Sequence, residues 1–173
     1  YDEKILSVEE AIKYAIVANI IDFNPVHSNV NADIQHFFSN IDNLEFTIND
    51  MDLLLRDIQA ASNILYLGDN CGEICFDKLL IKRIKDLNPQ CSIYFGVRGE
   101  AVVNDSTLED AHFVGMDVYA TVISNGDYAL GTILSRTSEE FKAVYQKADV
   151  VIAKGQANYE SLSEEDKNIY FLL

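Results

Sequence analysis

From residue 63 onward, the sequence alternates short apolar runs with helical patterns, and this alternation limits the folds that the chain can adopt. The apolar runs are rich in β-branched or aromatic residues, as expected of strands that are buried on both faces. They cover residues 64–67, 92–97, 118–123, 150–153 and 169–173. Helical spacing of apolar residues marks the stretches 73–87 and 108–114. A capping pattern at residues 137–140 begins a further helix, which runs to about Lys147. The alternation predicts βαβ units and an α/β fold with a parallel sheet.

The first 61 residues do not show this alternation and have mostly helical patterns. Ser7 and Glu10 form a capping-box pattern that opens an amphipathic stretch. Residues 23–31 are predicted to be a loop, residues 32–38 a short helix, and the apolar residues from Met51 to Ile58 another helix. We therefore predict two parts: a helical segment over 1–61, packed on an α/β core over 62–173. Because the chain begins without Met and ends within an apolar run, we expect a fragment of a longer protein, with a core that is incomplete at its C-terminus.

Composition excludes some classes of partner. The net charge of −15 repels the phosphate backbone of nucleic acids, so we expect no nucleic-acid partner. No apolar run approaches the ~20 residues of a membrane span. Cys71, Cys75 and Cys91 have neither zinc-site nor disulfide spacing, and the four-residue spacing of Cys71 and Cys75 predicts that both lie on one helical turn. We predict buried free thiols in a cytoplasmic enzyme. The scattered residues His27, His36 and His112 are predicted to be structural.

Four polar clusters follow the predicted strands, either directly or within a few residues. They contain Asp69, Asn70 and Glu73; Arg98, Asn104 and Asp105; Ser124, Asn125 and Gly126; and Lys154 and Asn158. The carboxyl ends of parallel strands share one edge of the sheet, so the clusters are expected to meet in one crevice. Carboxylates and amides suit a hard divalent cation, while an arginine and a lysine suit a phosphate.

Asp69, Asn70 and Asp105 are the candidate metal ligands. Asp69 and Asn70 lie on a tight turn between two glycines, where both side chains can face one cation. Two carboxylates and an amide would leave octahedral positions for water and substrate, as metal-assisted hydrolysis requires. The alternative at each position is a helix N-cap, and Thr107 competes with Asp105 for that role.

Basic and amide side chains are the candidate phosphate ligands. The guanidinium group of Arg98 suits bidentate phosphate binding, with a structural salt bridge as the alternative. Lys154 is expected to clamp phosphate or neutralise charge in the transition state, rather than to form a structural ion pair. Ser124, Asn125 and Gly126 could donate hydrogen bonds to an anion, and a plain turn is the alternative.

Four motifs in this order resemble the metal-dependent damage-control phosphatases. The motifs are YLGDNCGEI from Tyr66, VRG from Val97 with VND from Val103, ISNG from Ile123 and IAKGQAN from Ile152. Residues 18–23 resemble an upstream helical motif of the family. The resemblance implies a Rossmann-like three-layer α/β/α core with a helical part packed on it. It implies a divalent metal (Mg, Mn, Co or Ni) on Asp69, Asn70 and Asp105, and catalytic roles for these residues and Lys154. The expected reaction removes phosphate from sugar phosphates, phosphopantetheine or related damaged metabolites.

Substrate binding is expected at Glu73, Arg98, Asn104, Ser124, Asn125, Gly126 and Asn158. Two other functions stay open. One is a phosphometabolite-binding module without turnover, and the other is a protein-carboxyl methyltransferase, a role attached to some relatives. The first loop, from Gly68 to Gly72, is short and acidic, which suits a metal better than a methyl-donor nucleotide. The sequence leaves the oligomeric state open.

Overall fold

In the computed structural model, which describes residues 6–22 and 41–173, five parallel strands form a sheet in the order β3-β2-β1-β4-β5. The strands are β1 Asn63–Leu67, β2 Ser92–Val97, β3 Thr121–Ser124, β4 Val150–Lys154 and β5 Ile169–Leu172. The predicted parallel sheet is confirmed. The carboxyl ends of β2 and β4 flank that of β1, and the strand order changes direction there. In open α/β sheets this is where ligand crevices form.

Helices cover both faces of the sheet. Six α-helices are described: α1 Val8–Asp22, α2 Met51–Ala60, α3 Ile74–Leu87, α4 Leu108–Phe113, α5 Glu139–Lys147 and α6 Gln156–Leu162. Short 3₁₀ turns lie at Ile41–Asn43, Met116–Val118 and Leu134–Arg136. The predicted α/β class, with helices on both faces, is confirmed.

Alternate residues of the central strands enter two separate apolar layers. Ile64 and Tyr66 of β1 pack in the layer that includes residues of α1, α2 and α3. Leu65 and Leu67 point to the other face, among residues of α5 and α6. This strand is therefore buried on both sides, which explains why its sequence is a continuous apolar run rather than an alternating one.

Helix α1 begins at the predicted capping box and joins the first of these layers. The backbone N–H of Glu10 donates to Ser7 Oγ at 3.1 Å, and the N–H of Ser7 donates to Glu10 Oε2 at 2.8 Å. The small side chains of Ala11 and Ala15 are fully buried against the core. The division of the chain at residues 61 and 62 stays a prediction. The predicted loop at 23–31 and helix at 32–38 lie outside the described residues, as do His27 and His36.

Three details of the sequence analysis are wrong. Strand β3 begins at Thr121 rather than at residue 118, because the chain first makes the 3₁₀ turn Met116–Val118. Cys91 is buried, but Cys71 and Cys75 are exposed, and all three are free. Cys71 lies on the turn before α3, so it does not share a helical turn with Cys75.

Over residues 6–22 and 41–173, no helix combines the length and apolar content that crossing a membrane requires.

Candidate active site

The loops after β1 and β2 bind each other and bring Asp69 and Asp105 to one edge of the sheet. The N–H of Ser106 donates to the carbonyl of Asp69 at 2.7 Å, and that of Cys71 donates to the carbonyl of Asn104 at 2.8 Å. Asn70 and Asp105 form an isolated antiparallel bridge. Both carboxylates are buried, with 5% of Asp69 and 7% of Asp105 exposed. Two candidate ligands that are far apart in sequence are thus neighbours in the fold.

Neither Asp69, Asn70 nor Asp105 caps a helix. The N-cap of α3 is Glu73, and that of α4 is Thr107, which forms a capping box with Asp110. The N-cap alternative for the three candidate ligands is therefore wrong. Their burial needs another explanation, since carboxylates are seldom fully buried unless they are paired.

Asn19 of α1 connects two buried acids of the site. Its Nδ2 atom donates to Asp69 Oδ2 at 3.0 Å and to Glu73 Oε1 at 2.8 Å. Asn70 Nδ2 also donates to Asp69 Oδ2, at 3.2 Å. Burial raises the pKa of Asp69 to about 6; the hydrogen bond from Asn19 opposes this rise, and the charge of Asp105 adds to it. Asn19 had no predicted role, although it lies in the upstream motif.

Lys154 is fully buried and forms ion pairs with two acids of α3 and the turn before it. Its Nζ atom donates to Asp77 Oδ1 at 2.7 Å and to Glu73 Oε2. The expectation that Lys154 would avoid a structural ion pair is wrong, because the carboxylates reach it from the turn at 73 and from α3. Burial lowers the pKa of Lys154, but the charges of Asp77 and Glu73 outweigh it and raise the pKa overall.

This ion-pair cluster extends away from the crevice to Tyr66, whose hydroxyl donates to Asp77 Oδ1 at 2.6 Å. Burial raises the pKa of Tyr66 well above its usual value, and the charge of Asp77 makes the second largest contribution. Burial and the charge of Asp77 also raise the pKa of Glu73 to about 7, against the opposing effect of Lys154. Asp77 was not a candidate in the sequence analysis, because its position within a helical pattern carried no signal of a site.

Arg98 forms the salt bridge that the sequence analysis gave as its alternative role. Its Nε atom donates to Asp105 Oδ2 at 2.6 Å, and its Nη1 atom donates to the carbonyl of Gly131. The third nitrogen, Nη2, is buried and makes no hydrogen bond within the described part of the chain. Arg98 thus anchors a candidate metal ligand and retains one buried donor group.

Residues 124–127 form a turn that is held by its own side chains. The N–H of Gly126 donates to Ser124 Oγ at 3.0 Å, and the N–H of Asp127 donates to Asn125 Oδ1 at 2.9 Å. The backbone N–H of Gly126 is therefore used within the turn, as the alternative interpretation of this cluster expected. Asn125 is buried, with 2% of it exposed, and its N–H binds the carbonyl of Val97 at the end of β2.

Asn158 of α6 is fully buried beside the ends of β1 and β4, whereas Asn104 is exposed. Asn158 Nδ2 donates to the carbonyl of Lys154 at 2.8 Å and to that of Gly68 at 3.4 Å, and Asn158 Oδ1 accepts from the hydroxyl of Thr132 at 2.8 Å. Thr132 was not predicted, since a lone threonine in a loop gives no sequence signal. The four clusters are connected through these contacts.

Within residues 6–22 and 41–173, no three His, Cys, Asp or Glu side chains are grouped to hold a metal; the predicted ligands are two carboxylates and an amide.

Comparison with known proteins identifies relatives along nearly the whole chain. The family model described as "Damage-control phosphatase ARMT1-like domain" matches residues 1–173. The chain is 38% identical over 97% of its length to the damage-control phosphatase PH1575 of Pyrococcus horikoshii, and 37% identical over 99% to the uncharacterized protein MJ0202 of Methanocaldococcus jannaschii. The crystal structure of the Pyrococcus protein, described as a DUF89 family protein, superposes with a TM-score of 0.87 at 37% identity over 96% of this chain.

These relatives are longer than the chain. The match covers 58% of the Pyrococcus protein, 57% of the Methanocaldococcus protein and 57% of the chain in the crystal structure. The family model nevertheless spans all the strands, loops and helices that form the candidate site. The chain therefore belongs to the damage-control phosphatase ARMT1-like domain family.

Proposed function

We propose that the protein is a metal-dependent phosphatase that acts on small phosphorylated metabolites. The observation that carries this proposal is the convergence of buried Asp69 and Asp105 beside the guanidinium group of Arg98. Carboxylates suit a divalent cation, and a guanidinium group suits phosphate. The family supports phosphatase chemistry, since relatives at 34% and 38% identity are named damage-control phosphatases.

Asp69, Asn70 and Asp105 would hold the cation. Burial and the charge of Asp105 both raise the pKa of Asp69, so its carboxylate lies where additional positive charge would be stabilising. The three side chains offer oxygen ligands, which hard cations such as Mg²⁺ prefer, and Mn²⁺, Co²⁺ and Ni²⁺ are the other candidates. When bound, the cation would polarise a phosphoryl oxygen and lower the pKa of a bound water.

The remaining candidate residues would bind phosphate or orient the groups that do. In our proposal Arg98 binds a phosphoryl oxygen through Nη2, while its Nε atom keeps Asp105 in place. Glu73 and Asp77 accept two of the three N–H bonds of Lys154, so the ammonium group would retain one donor for phosphate. Asn125 would add an amide donor. The proposed roles of Asn104, Ser124, Gly126, Glu73 and Asn158 are to line or support this pocket.

The substrates that we propose are sugar phosphates, phosphopantetheine and related damaged metabolites. A test would incubate the full-length protein with a panel of phosphomonoesters and Mg²⁺, Mn²⁺, Co²⁺ or Ni²⁺, with a chelator in parallel. Phosphate release would be measured for the wild type, for Asp69→Asn and for the control Asp149→Asn. Asp149 lies at the opposite edge of the sheet, where it binds the N–H groups of Ser62 and Asn63.

We expect hydrolysis that requires metal, stops with chelator and is lost in Asp69→Asn but kept in Asp149→Asn. Binding of phosphomonoesters without turnover would instead favour the phosphometabolite-binding module. Hydrolysis that continues in excess chelator would contradict the metal-dependent mechanism.

A further inference from the structure

Thr132 is a buried residue in the loop between β3 and α5, and no motif of the sequence includes it. Only 1% of it is exposed. Its N–H donates to Ser161 Oγ at 2.9 Å, and the preceding residue, Gly131, packs so closely on α6 that an added Cβ would lie 2.2 Å from the carbonyl oxygen of Ala157. The backbone around Thr132 is therefore fixed against α6, which leaves its hydroxyl group in a defined place between two other buried side chains.

The hydrogen bonds around this hydroxyl group have a fixed direction. Arg98 can only donate, and its Nη1 atom approaches Thr132 Oγ1 at 3.4 Å. The hydroxyl hydrogen is then free to donate to Asn158 Oδ1, at 2.8 Å. This bond orients the amide group of Asn158 so that Nδ2 faces the carbonyl oxygens of Lys154 and Gly68. The two carbonyl acceptors favour the same orientation of the amide, and the hydroxyl group adds the bond that ties Oδ1 to the loop of Thr132.

The contacts on either side of Thr132 lead to the two carboxylates of the candidate site. On one side, Arg98 holds Asp105 by a bond of 2.6 Å. On the other side, Asn158 binds the carbonyl of Gly68, the residue directly before Asp69. The hydroxyl group of Thr132 thus connects the ends of β2 and β4 across the end of β1.

We propose that Thr132 is a positioning residue that couples the Arg98–Asp105 pair to Asn158 and so supports the spacing of Asp69 and Asp105, in addition to the backbone bonds between their loops. This inference rests on the proposed function, because the spacing matters for holding a cation between the two carboxylates. Groups that orient metal ligands typically change metal affinity or activity by ~10- to 100-fold when they are removed.

Three variants of the full-length protein test the inference. Thr132→Val keeps the shape and replaces the hydroxyl by a methyl group, while Thr132→Ser keeps the hydroxyl. Thr137→Val is the matched control: Thr137 lies in the same loop, is 4% exposed, and donates its hydroxyl to the carbonyl of Leu134 at 2.9 Å, outside this chain of contacts. The measurements are Mn²⁺ affinity by calorimetry, kcat and KM with p-nitrophenyl phosphate, thermal stability, and the NMR signal of the Asn158 side-chain amide.

In Thr132→Val we expect Mn²⁺ affinity and kcat to fall by ~10- to 100-fold and the Asn158 amide signal to move, as for a group that orients ligands. Thr132→Ser should restore all three measurements to nearly wild-type values. Thr137→Val should lose thermal stability and keep its affinity, kcat and amide signal. Should Thr132→Val not fold, Thr132→Cys replaces it and is compared with Thr132→Ser, because Cys and Ser have similar shapes and the thiol is a much weaker donor.

Two results would overturn the inference while the wild type is active. One is a Thr132→Val protein that resembles Thr137→Val, with lower stability but wild-type Mn²⁺ affinity and kcat. The other is a Thr132→Ser protein that is impaired as strongly as Thr132→Val, since packing of the methyl group would then be the cause. A wild type without metal-dependent hydrolysis would instead contradict the proposed function. In that case the coupling is still tested by the NMR signal of the Asn158 amide, because an unchanged signal in Thr132→Val would overturn it.

Discussion

Gly155 packs so closely against Asp69 that a Cβ atom added at residue 155 would lie 2.0 Å from the Oδ2 atom of Asp69. Gly155 follows β4 directly, and its φ of +80° is one that L side chains rarely adopt. Asp69 lies two residues beyond the end of β1. The backbone after β4 therefore forms one wall of the candidate metal site, and only glycine leaves room there for the carboxylate.

Replacing this glycine should damage the site more than the fold. In Gly155→Ala the new Cβ must displace the Asp69 carboxylate, so we expect loss of nearly all activity, together with the ~1–3 kcal/mol that a backbone region used almost only by glycine costs another residue. Gly115→Ala is the matched control, because Gly115 has a φ of +69° and an added Cβ would have only Lys78 Nζ nearby, at 3.4 Å. Unfolding free energy and kcat should be measured for both variants.

The control, whose backbone has the left-handed αL conformation, should lose about 1–2 kcal/mol of unfolding free energy and keep its kcat. If Gly155→Ala retained the activity of Gly115→Ala, Asp69 would have to tolerate displacement, and its assignment as a ligand would be wrong.

Lys154 is held between two acids, so its removal should destabilise the protein. Lys154→Met would leave Glu73 and Asp77 buried without their cation, and breaking a buried pair in this way costs about 3–5 kcal/mol. Adding Asp77→Asn removes one of the two buried charges and keeps an oxygen to accept from Tyr66. We expect the double variant to recover part of the unfolding free energy, which denaturant titration would measure.

Kinetics of the double variant separate the structural role of Lys154 from a role in phosphate chemistry. If Lys154 stabilises the transition state, kcat and kcat/KM should stay lower by roughly 10²–10³ even where stability returns. If it only binds phosphate, KM should rise with kcat unchanged. Recovery of both stability and wild-type kinetics would show that the lysine serves the ion-pair cluster alone.

The buried acids should also make the metal-free protein less stable as pH rises. The pKa of Asp69 is about 6 in the folded protein, against a usual value of 3.8, so the folded state holds this proton more tightly than the unfolded chain does. Its contribution to the unfolding free energy is fully present below pH 3.8 and is lost as pH rises through about 6. Glu73, with a pKa of about 7, extends the same loss to higher pH.

Denaturant unfolding between pH 4 and pH 8 in the presence of chelator would measure this effect. Asp69→Asn should show a smaller loss of unfolding free energy between pH 4 and pH 6 than the wild type. Asp149→Asn is a control of opposite sign, because hydrogen bonds from the backbone of Asn63 and Ser62 lower the pKa of Asp149. That residue should stabilise the wild type equally throughout this range, because its contribution is lost only as pH falls below the usual pKa of 3.8. Equal pH dependence in wild type and Asp69→Asn would contradict the burial of an ionisable Asp69.

The sequence was sufficient to predict the sheet, because each strand is a local apolar run with a recognisable end. It also located Asp69 and Asp105 at one edge, since parallel strands place their carboxyl ends together. The short helix α6 was not predicted, because its first residues were interpreted only as a polar cluster. Strand β3 was displaced, because Val118 and Tyr119 continue the apolar run although Val118 belongs to a 3₁₀ turn.

Partners across the fold could not be predicted from local patterns. Asn19 is 50 residues from Asp69, and Lys154 is 77 residues from Asp77, so neither contact has a spacing that identifies it. The same limit explains why Lys154 was expected to be free of ion pairs and why Thr132 was overlooked. Types of side chain were informative about chemistry, whereas the groups that orient them emerged only from the three-dimensional arrangement.

We propose that Asp69, Asn70 and Asp105 together hold one divalent cation. Calorimetric titration of Mn²⁺ into the metal-free wild type, Asp105→Asn and the control Asp149→Asn tests it most directly. Asn at position 105 keeps an oxygen that can accept from Arg98, so loss of the salt bridge alone should not prevent folding. We predict one Mn²⁺ per chain in the wild type and in Asp149→Asn, and at least ~100-fold weaker binding in Asp105→Asn, the upper end of what removal of an outer-shell partner costs. Wild-type Mn²⁺ affinity and full activity in Asp105→Asn would contradict the account.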